Sequence, residues 1–456
     1  PAAVAFLYGE KSGLSFLMVS AVLLIIFLIF GRKKPGNKLI YGKEGLVIVG
    51  SAWILWSLFG ALPFFISGCI PNYLDAFFET VSGFTTTGST ILTNIEALPM
   101  GMAFWRSLTH WIGGMGVLVF ILCLLPLTGG YHMNLMKAES PGPSVSKLVP
   151  KVQSTAKILY TIYIILTVVE IIFLLIGKMP LFDTLCLSFG TAGTGGFGIK
   201  NDSIASYSTY NQVVITVFMI LFGINFNAYY LLLTKKVMQA AKNEEVRYYL
   251  GIIGLAIVAI AINTREMFTS FGRAFQQAAF QVGSIITTTG YATTDFNVWP
   301  VFSKTILVIL MFVGACAGST GGGIKVSRLL ILCKSARKEL QLYLHPNAVK
   351  KIKMDDKAIP HEVVRATNMF LFVYIMIFVT SLLIISLDNL DMVSNFTAIA
   401  ATLNNIGPGL GAVGPTGNFN TYSYISKGVM IFDMLAGRLE VFPLLLLFKR
   451  DTWRKF

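Results

Sequence analysis

The stretch GFTTTGST, Gly83 to Thr90, decides how this chain reads, because three looser echoes follow it: TAGTGGFG at 191–198, TTTGYATT at 287–294 and NNIGPGLG at 404–411. With Gly88, Gly195, Gly290 and Gly407 taken as equivalent, the spacings are 107, 95 and 117 residues. Each interval is long enough for one structural module, so the pattern is a fourfold internal repeat. An apolar, aromatic, helix-compatible run precedes each motif: Asp75 to Ser82, Asp183 to Phe189, Phe275 to Ile286 and Asn395 to Leu403.

Composition sets the environment of these motifs. Hydrophobic residues make up 55% of the chain and charged residues 13%, against about 25% charged in soluble domains. Mean hydropathy is +0.70. Runs of about twenty apolar residues recur, each long enough to cross a hydrocarbon core of about 30 Å as a helix. Spans are expected near 15–30, 45–67, 103–127, 158–177, 211–233, 248–263, 302–333, 367–387 and 427–448. The expected fold class is therefore an all-α polytopic membrane protein.

The net charge of +14 raises the question of nucleic acid. Of 36 Lys and Arg residues, 27 fall in 32–43, 137–157, 235–247, 325–365 and 449–456, which the span order puts on one side of the membrane. The positive-inside rule makes that side cytoplasmic, so a topological bias accounts for the charge and no nucleic-acid partner is called for. The opposite side carries Asp75, Glu79, Glu96, Asp183, Asp202, Asp295, Asp388 and Asp391. These either form an acidic mouth that concentrates cations or solvate loops and cap helices. Five cysteines show neither a CxxC pair nor a dense framework, and four histidines are scattered. No resident metal site, cofactor or catalytic constellation is expected, so the chain does not read as an enzyme. No signal peptide is visible, and PAAVAFLYGE at 1–10 reads as the tail of an earlier apolar helix whose start is missing.

The repeat divides the chain into an N-terminal helix region, 1–43, and four modules, 44–130, 131–246, 247–345 and 346–456. Each module reads as an outward helix, a short re-entrant pore helix ending in the glycine motif, and an inward helix. Non-helical backbone at membrane depth leaves amides and carbonyls that hydrocarbon cannot satisfy, so it persists only when buried in protein or facing water. Four such pieces point to one central, water-filled pore. A selectivity filter needs rows of backbone carbonyls in place of an ion's hydration shell, and glycine allows the backbone angles that turn them inward. The candidate ion-binding residues are Thr86, Thr87 and Gly88; Gly193, Thr194 and Gly195; Thr288, Thr289 and Gly290; and Asn405, Ile406 and Gly407. The pore is then only pseudo-fourfold.

Two further features lie on the cytoplasmic side of the motifs. Gly314, Gly318, Gly321, Gly322 and Gly323 interrupt the span at 302–333. They read as a mobile intramembrane gate or as a rigid break for close packing. Arg438 sits in the last span, where a bare charge costs a few kcal/mol. It is either a barrier on the ion path or a structural partner of Asp433, Glu440 or a neighbouring carboxylate. The glycines of WIGGMG at 111–116, with Asn225 and Asn227, read as helix packing. The GxGxxG of Gly193, Gly195 and Gly198 follows no strand, and Ile324 displaces Lys325 from a P-loop spacing, so nucleotide binding by the chain is rejected. The basic linker 334–365 suits lipid headgroups or an acidic partner.

FFETVSGFTTTGST at 77–90, HWIGGMGV at 110–117, AESPGPSVSKLVPKVQSTAK at 138–157, GACAGSTGGGIKVSR at 314–328, LHPNAV at 344–349, ATLNNIGPGLG at 401–411 and GRLEVFPLLLLF at 437–448 resemble the Trk/Ktr/HKT superfamily of cation transporters, and most closely its bacterial TrkH-type subunits. The resemblance covers nearly the whole chain. It implies one filter glycine per module, an intramembrane gate loop at the glycine cluster, and Arg438 below the filter. It also implies potassium as the ion held at the filter residues, with Gly88 in place of serine favouring potassium over sodium. The bacterial inner membrane, a homodimer and a cytosolic ring of nucleotide-binding, TrkA-like regulatory subunits follow from the same likeness. Two mechanisms fit: uptake of potassium through a gated pore, driven by membrane potential, and symport of potassium with sodium or protons using Glu170, Asp433 or Glu440.

Overall fold

The computed structural model describes residues 1–31, 42–116, 152–347 and 350–453, and these are nearly all helical. Among them, α1 (Ala2–Leu7) and α2 (Gly13–Phe30) precede the repeats. The first unit is α3 (Gly42–Ile66), α4 (Tyr73–Phe84) and α5 (Met100–Gly114). The second is α6 (Val152–Ile176), α7 (Leu181–Gly193) and α8 (Thr209–Phe222), continued by α9 (Phe226–Leu233) and α10 (Val237–Ala241). The third is α11 (Glu244–Asn263), α12 (Phe271–Ile286) and α13 (Val301–Val313), continued by α14 (Val326–Leu344). After a two-stranded hairpin, Lys353–Met354 with Lys357–Ala358, the fourth unit is α15 (His361–Ile385), α16 (Met392–Leu403) and α17 (Tyr424–Arg438), then α18 (Phe442–Leu447).

Within each unit, helix length follows from what the helix must cross. The outward helices α3, α6, α11 and α15 have 25, 25, 20 and 25 residues, enough for a bilayer core at about 1.5 Å per residue. Leu255, Phe372 and Leu383 remain exposed on them, as lipid-facing side chains should. With α2, five described helices have the length and apolar character to cross a membrane. The short helices α4, α7, α12 and α16 have only 12, 13, 16 and 12 residues and cannot.

Their starts are fixed locally. Asn72 accepts the Leu74 N–H at 2.8 Å, Ser270 accepts the Arg273 N–H at 3.2 Å, and Asp391 accepts the Ser394 N–H at 2.9 Å. Each side chain satisfies an otherwise orphaned donor of the first turn. Helix α7 instead begins after Pro180, whose missing N–H costs nothing there. Toward their C-terminal ends all four are buried, and their threonines return hydroxyls to the preceding turn: Thr80 to Ala76, Thr191 to Leu187 and Thr402 to Ala398.

The inward helices depart from the expected spans. Continuous crossings at 211–233 and 427–448 do not form, the run at 302–333 is interrupted at its glycine cluster as expected, and of 103–127 the described part ends its helix at Gly114; residues 117–127 lie outside the described residues. Helices α8 and α9 meet at 90° around Gly223. Helix α13 stops at Val313, and twelve residues pass before α14. Helix α17 stops at Arg438, with Glu440 and Val441 at φ +55° and +69°. The cause is close backbone approach: a Cβ on Gly113 would collide with the Phe84 carbonyl, and one on Gly437 with the Leu403 carbonyl. The ends of α5 and α17 thus lie where these inward helices pass the ends of α4 and α16.

The four units close a circle. Helix α5 packs on α7, α8 on α12, α13 on α16, and α17 back on α4, so each inward helix supports the short helix of the next unit.

Candidate functional site

The circle brings the four glycine motifs together at its centre, and their backbones repeat one conformation. Thr86, Thr194, Thr288 and Asn405 have φ of +54°, +54°, +59° and +56°. Two residues on, Gly88, Gly196, Gly290 and Gly407 have φ of +80°, +76°, +84° and +105°. The residue between donates its N–H to the helix end in all four: Thr87 to Ser82, Gly195 to Gly190, Thr289 to Ser284 and Ile406 to Ala401. Every L-residue at the first position is strained, and only glycine sits comfortably at the third.

This pattern corrects the register of the second motif. The expected set Gly193, Thr194 and Gly195 is displaced by one residue, and Thr194, Gly195 and Gly196 are the structural counterparts of Thr86, Thr87 and Gly88. Gly193 belongs to the last turn of α7. The other nine expected residues occupy equivalent places.

Contacts between turns confirm the new register. A Cβ on Gly88 would strike the carbonyl oxygen of Gly195; on Gly196, that of Thr289; on Gly290, that of Ile406; and on Gly407, that of Thr87 at 2.9 Å. Each third-position glycine therefore lies against the second-position carbonyl of the next turn, and the fourth returns to the first. Side chains lock the ring from behind. Asn405 donates to the Thr87 hydroxyl at 2.9 Å and to the Met434 carbonyl at 2.9 Å. Away from the basic linkers, Gly88, Gly196, Gly290 and Gly407 line one open cleft.

On the basic-linker side, the segment from Gly314 to Lys325 runs across the ring. Gly322 donates its N–H to the Thr288 hydroxyl at 2.6 Å and Gly323 donates to the Asn404 carbonyl at 3.0 Å. Gly314 packs on Gly323, Gly321 faces the Thr287 carbonyl, and the Gly318 carbonyl accepts from Phe226 at 3.0 Å. A buried carboxylate ties down both ends: Glu245 accepts from Ala317 N–H at 2.6 Å, Ser327 N–H at 3.1 Å and the Asn225 amide at 3.4 Å. Lys325 donates its ammonium to the Gly321 carbonyl. Asn225 thus does more than pack helices.

Arg438, the last residue of α17, reaches the same place. Its guanidinium donates to the Thr320 carbonyl at 2.9 Å, the Gly114 carbonyl at 2.7 Å, the Gly113 carbonyl and the Thr86 hydroxyl at 3.3 Å. It therefore joins the first turn, the crossing segment and the end of α5. The carboxylates expected as its structural partners serve others: Asp433 accepts from Ser381 at 2.8 Å, and Glu440 accepts from Arg328. The glycines of WIGGMG supply Arg438 with acceptors as well as packing.

Of the two readings of the opposite face, pairing and capping fit the geometry. Glu79 is buried on Arg106 at 2.6 Å and also accepts from Thr90 and Ile91. Asp75 pairs with Lys427 at 2.7 Å, Asp295 caps Asn297, and Asp388 accepts from Ser423. Sequence reasoning missed the Glu79–Arg106 and Glu245 contacts, which join residues 20 to 82 positions apart. Their only local signal is an ionisable residue at an otherwise apolar or helix-end position.

A family model described as a cation transport protein, TrkH, matches residues 17–454. The Trk system potassium uptake protein TrkH of Salmonella typhimurium is 37% identical over 465 residues, covering 100% of this chain and 95% of its own length. The protein of the same name from Vibrio parahaemolyticus is 38% identical over 466 residues, with the same coverage. The crystal structure of the potassium transporter TrkH from Vibrio parahaemolyticus superposes with a TM-score of 0.88 at 35% identity, covering 100% of this chain and 95% of that one. The all-helical architecture, the apolar helices and this full-length likeness lead to one conclusion: the chain is a multi-pass membrane transporter, not an enzyme, and belongs to the TrkH family of cation transport proteins.

Proposed function

We propose that this chain takes up potassium through a pore whose selectivity filter is the ring of four turns. The observation that carries the reading is the closed sequence of contacts in which the glycine of each turn lies against a backbone carbonyl of the next, so that four units bring backbone oxygens into one ring. The filter residues are Thr86, Thr87 and Gly88; Thr194, Gly195 and Gly196; Thr288, Thr289 and Gly290; and Asn405, Ile406 and Gly407. The 314–325 segment and Arg438 form the gate, since both lie against the ring and one holds the other. Membrane potential drives the ion, at about 2.3 kcal/mol per 100 mV, or roughly a fiftyfold concentration ratio.

The four units correspond to modules 44–130, 131–246, 247–345 and 346–456, after an N-terminal region at 1–43. The chain works in a bacterial inner membrane as a homodimer on a cytosolic ring of nucleotide-binding, TrkA-like subunits. Its basic linker and tail meet that ring and the lipid headgroups. Symport remains the second reading: of its three candidate carboxylates, Asp433 and Glu440 are engaged by Ser381 and Arg328, while Glu170 is wholly buried on α6. Potassium and rubidium flux into vesicles at clamped potential tests the pore. Saturable potassium uptake whose reversal potential ignores sodium and pH is expected; a reversal potential that follows either overturns it.

A further inference from the structure

The four turns differ at the position between the strained residue and the glycine. Thr87, Thr289 and Ile406 place a side chain there, and Gly195 places none. The three side chains wedge the back of their turns. The Thr87 hydroxyl bonds that of Thr85 at 2.8 Å, the Thr289 hydroxyl bonds that of Thr287 at 2.7 Å, and Ile406 is fully buried.

Backbone geometry does not require glycine at 195. The left-handed positions of this turn are Thr194 and Gly196. What excludes a side chain is His110, from α5 of the first unit. A Cβ on Gly195 would collide with the imidazole Nδ1, Cγ and Cε1, and His110 is wholly buried.

The imidazole is itself held in place. It stacks on Phe197, with ring centroids 4.1 Å apart and planes 19° from parallel. The Arg106 guanidinium carbon lies 3.5 Å from the centre of the same Phe197 ring. Arg106 also donates to the Gly198 carbonyl at 2.8 Å while paired with buried Glu79. Positions 106 and 110 are one helical turn apart and share a face of α5, so one helix face grips residues 195 to 198.

We propose that His110 is the missing side chain of the second turn, supplied from the neighbouring unit. It is a positioning residue: it sets the depth of the Gly195 carbonyl, which the ring presses against Gly88, and so tunes ion discrimination. This rests on the filter reading above. A planar, rigid ring replaces a rotatable hydroxyl, which explains how TGG at 194–196 holds the backbone shape of TTG at 86–88 and 288–290.

The test is reciprocal exchange in reconstituted vesicles, comparing His110→Ala, Gly195→Thr and the double variant. The readouts are the potassium-to-sodium permeability ratio at clamped potential and the thermal midpoint of the purified protein. Each single change is expected to lower the ratio about tenfold, equivalent to about 1.4 kcal/mol, and to lower the midpoint. The double variant is expected to regain most of both, because threonine enters the volume the imidazole leaves. A double variant no better than the worse single one in either readout overturns the proposal, as does an unchanged ratio in His110→Ala. Failure of the filter reading shows differently: the unaltered chain then lacks potassium preference, and Gly290→Ala leaves flux unchanged.

Discussion

Serine at Gly88 and at Gly407 gives a quantitative test of the ring, because both glycines occupy the same place in their turns and differ in clearance. Both have φ in the left-handed region, +80° and +105°, so a side chain costs about 1–3 kcal/mol of backbone strain at either. Clearance separates them. At Gly407 the new Cβ would sit 2.9 Å from the Thr87 oxygen, almost at the 3.0 Å limit that real Cβ atoms respect. At Gly88 it falls about 0.9 Å short of that limit against the Gly195 oxygen, beyond the ~0.5 Å within which a binding constellation keeps its geometry. The obstacle is backbone in both cases, so no rotamer change relieves it.

Gly88→Ser must therefore push the Gly195 carbonyl off its place, and Gly407→Ser need not move Thr87. The expected result is loss of potassium-over-sodium discrimination by at least about tenfold in Gly88→Ser, with total cation flux reduced less than discrimination. Gly407→Ser is expected to retain most of its discrimination. Permeability ratios from reversal potentials in proteoliposomes, normalised to protein incorporated, decide it. Equal loss in the two variants, or greater loss in Gly407→Ser, refutes the argument from clearance.

Three further outcomes are expected. Arg438→Gln removes a charge that bridges Thr86, Thr320 and the end of α5, so ion flux rises while the protein still purifies; poor expression with unaltered flux would mark it as purely structural. Gly322→Ala drives a Cβ into the Asn404 carbonyl, so it alters both flux and selectivity, and a change in flux alone would show the crossing segment acting independently of the ring. Asp391, exposed at the start of α16, is held below its ordinary carboxylate range by hydrogen bonds from Ser394, first its hydroxyl and then its N–H. Its contribution is full above about pH 4 and is lost as pH falls through its lowered folded-state value. A melting-temperature series from pH 7 to 3 should flatten at the acid end in Asp391→Asn relative to the unaltered chain.

Much of this protein is legible without coordinates. Composition and apolar run length place it in a membrane because buried charge is expensive there, and the Thr/Gly repeat announces four units because each needs the same left-handed turn. The side-chain caps Asn72, Ser270 and Asp391 before three of the short helices are likewise local. What sequence reasoning could not decide depends on neighbours. TAGTGGFG offers glycines at 193, 195, 196 and 198, and only the φ pattern and the carbonyl of Thr289 against Gly196 select among them. The apolar runs at 211–233 and 427–448 look continuous, yet the fold breaks both, whereas the glycines at 314–323 already announce the break at 302–333. Arg438 reads equally well as barrier or ion-pair partner until the fold brings it to the carbonyls of Gly113, Gly114 and Thr320. His110 is one buried histidine until α5 of one unit is laid against the turn of the next. Repetition and solubility are properties of residue order, whereas register, helix breaks and the filling of a space behind a turn are set by which backbones meet.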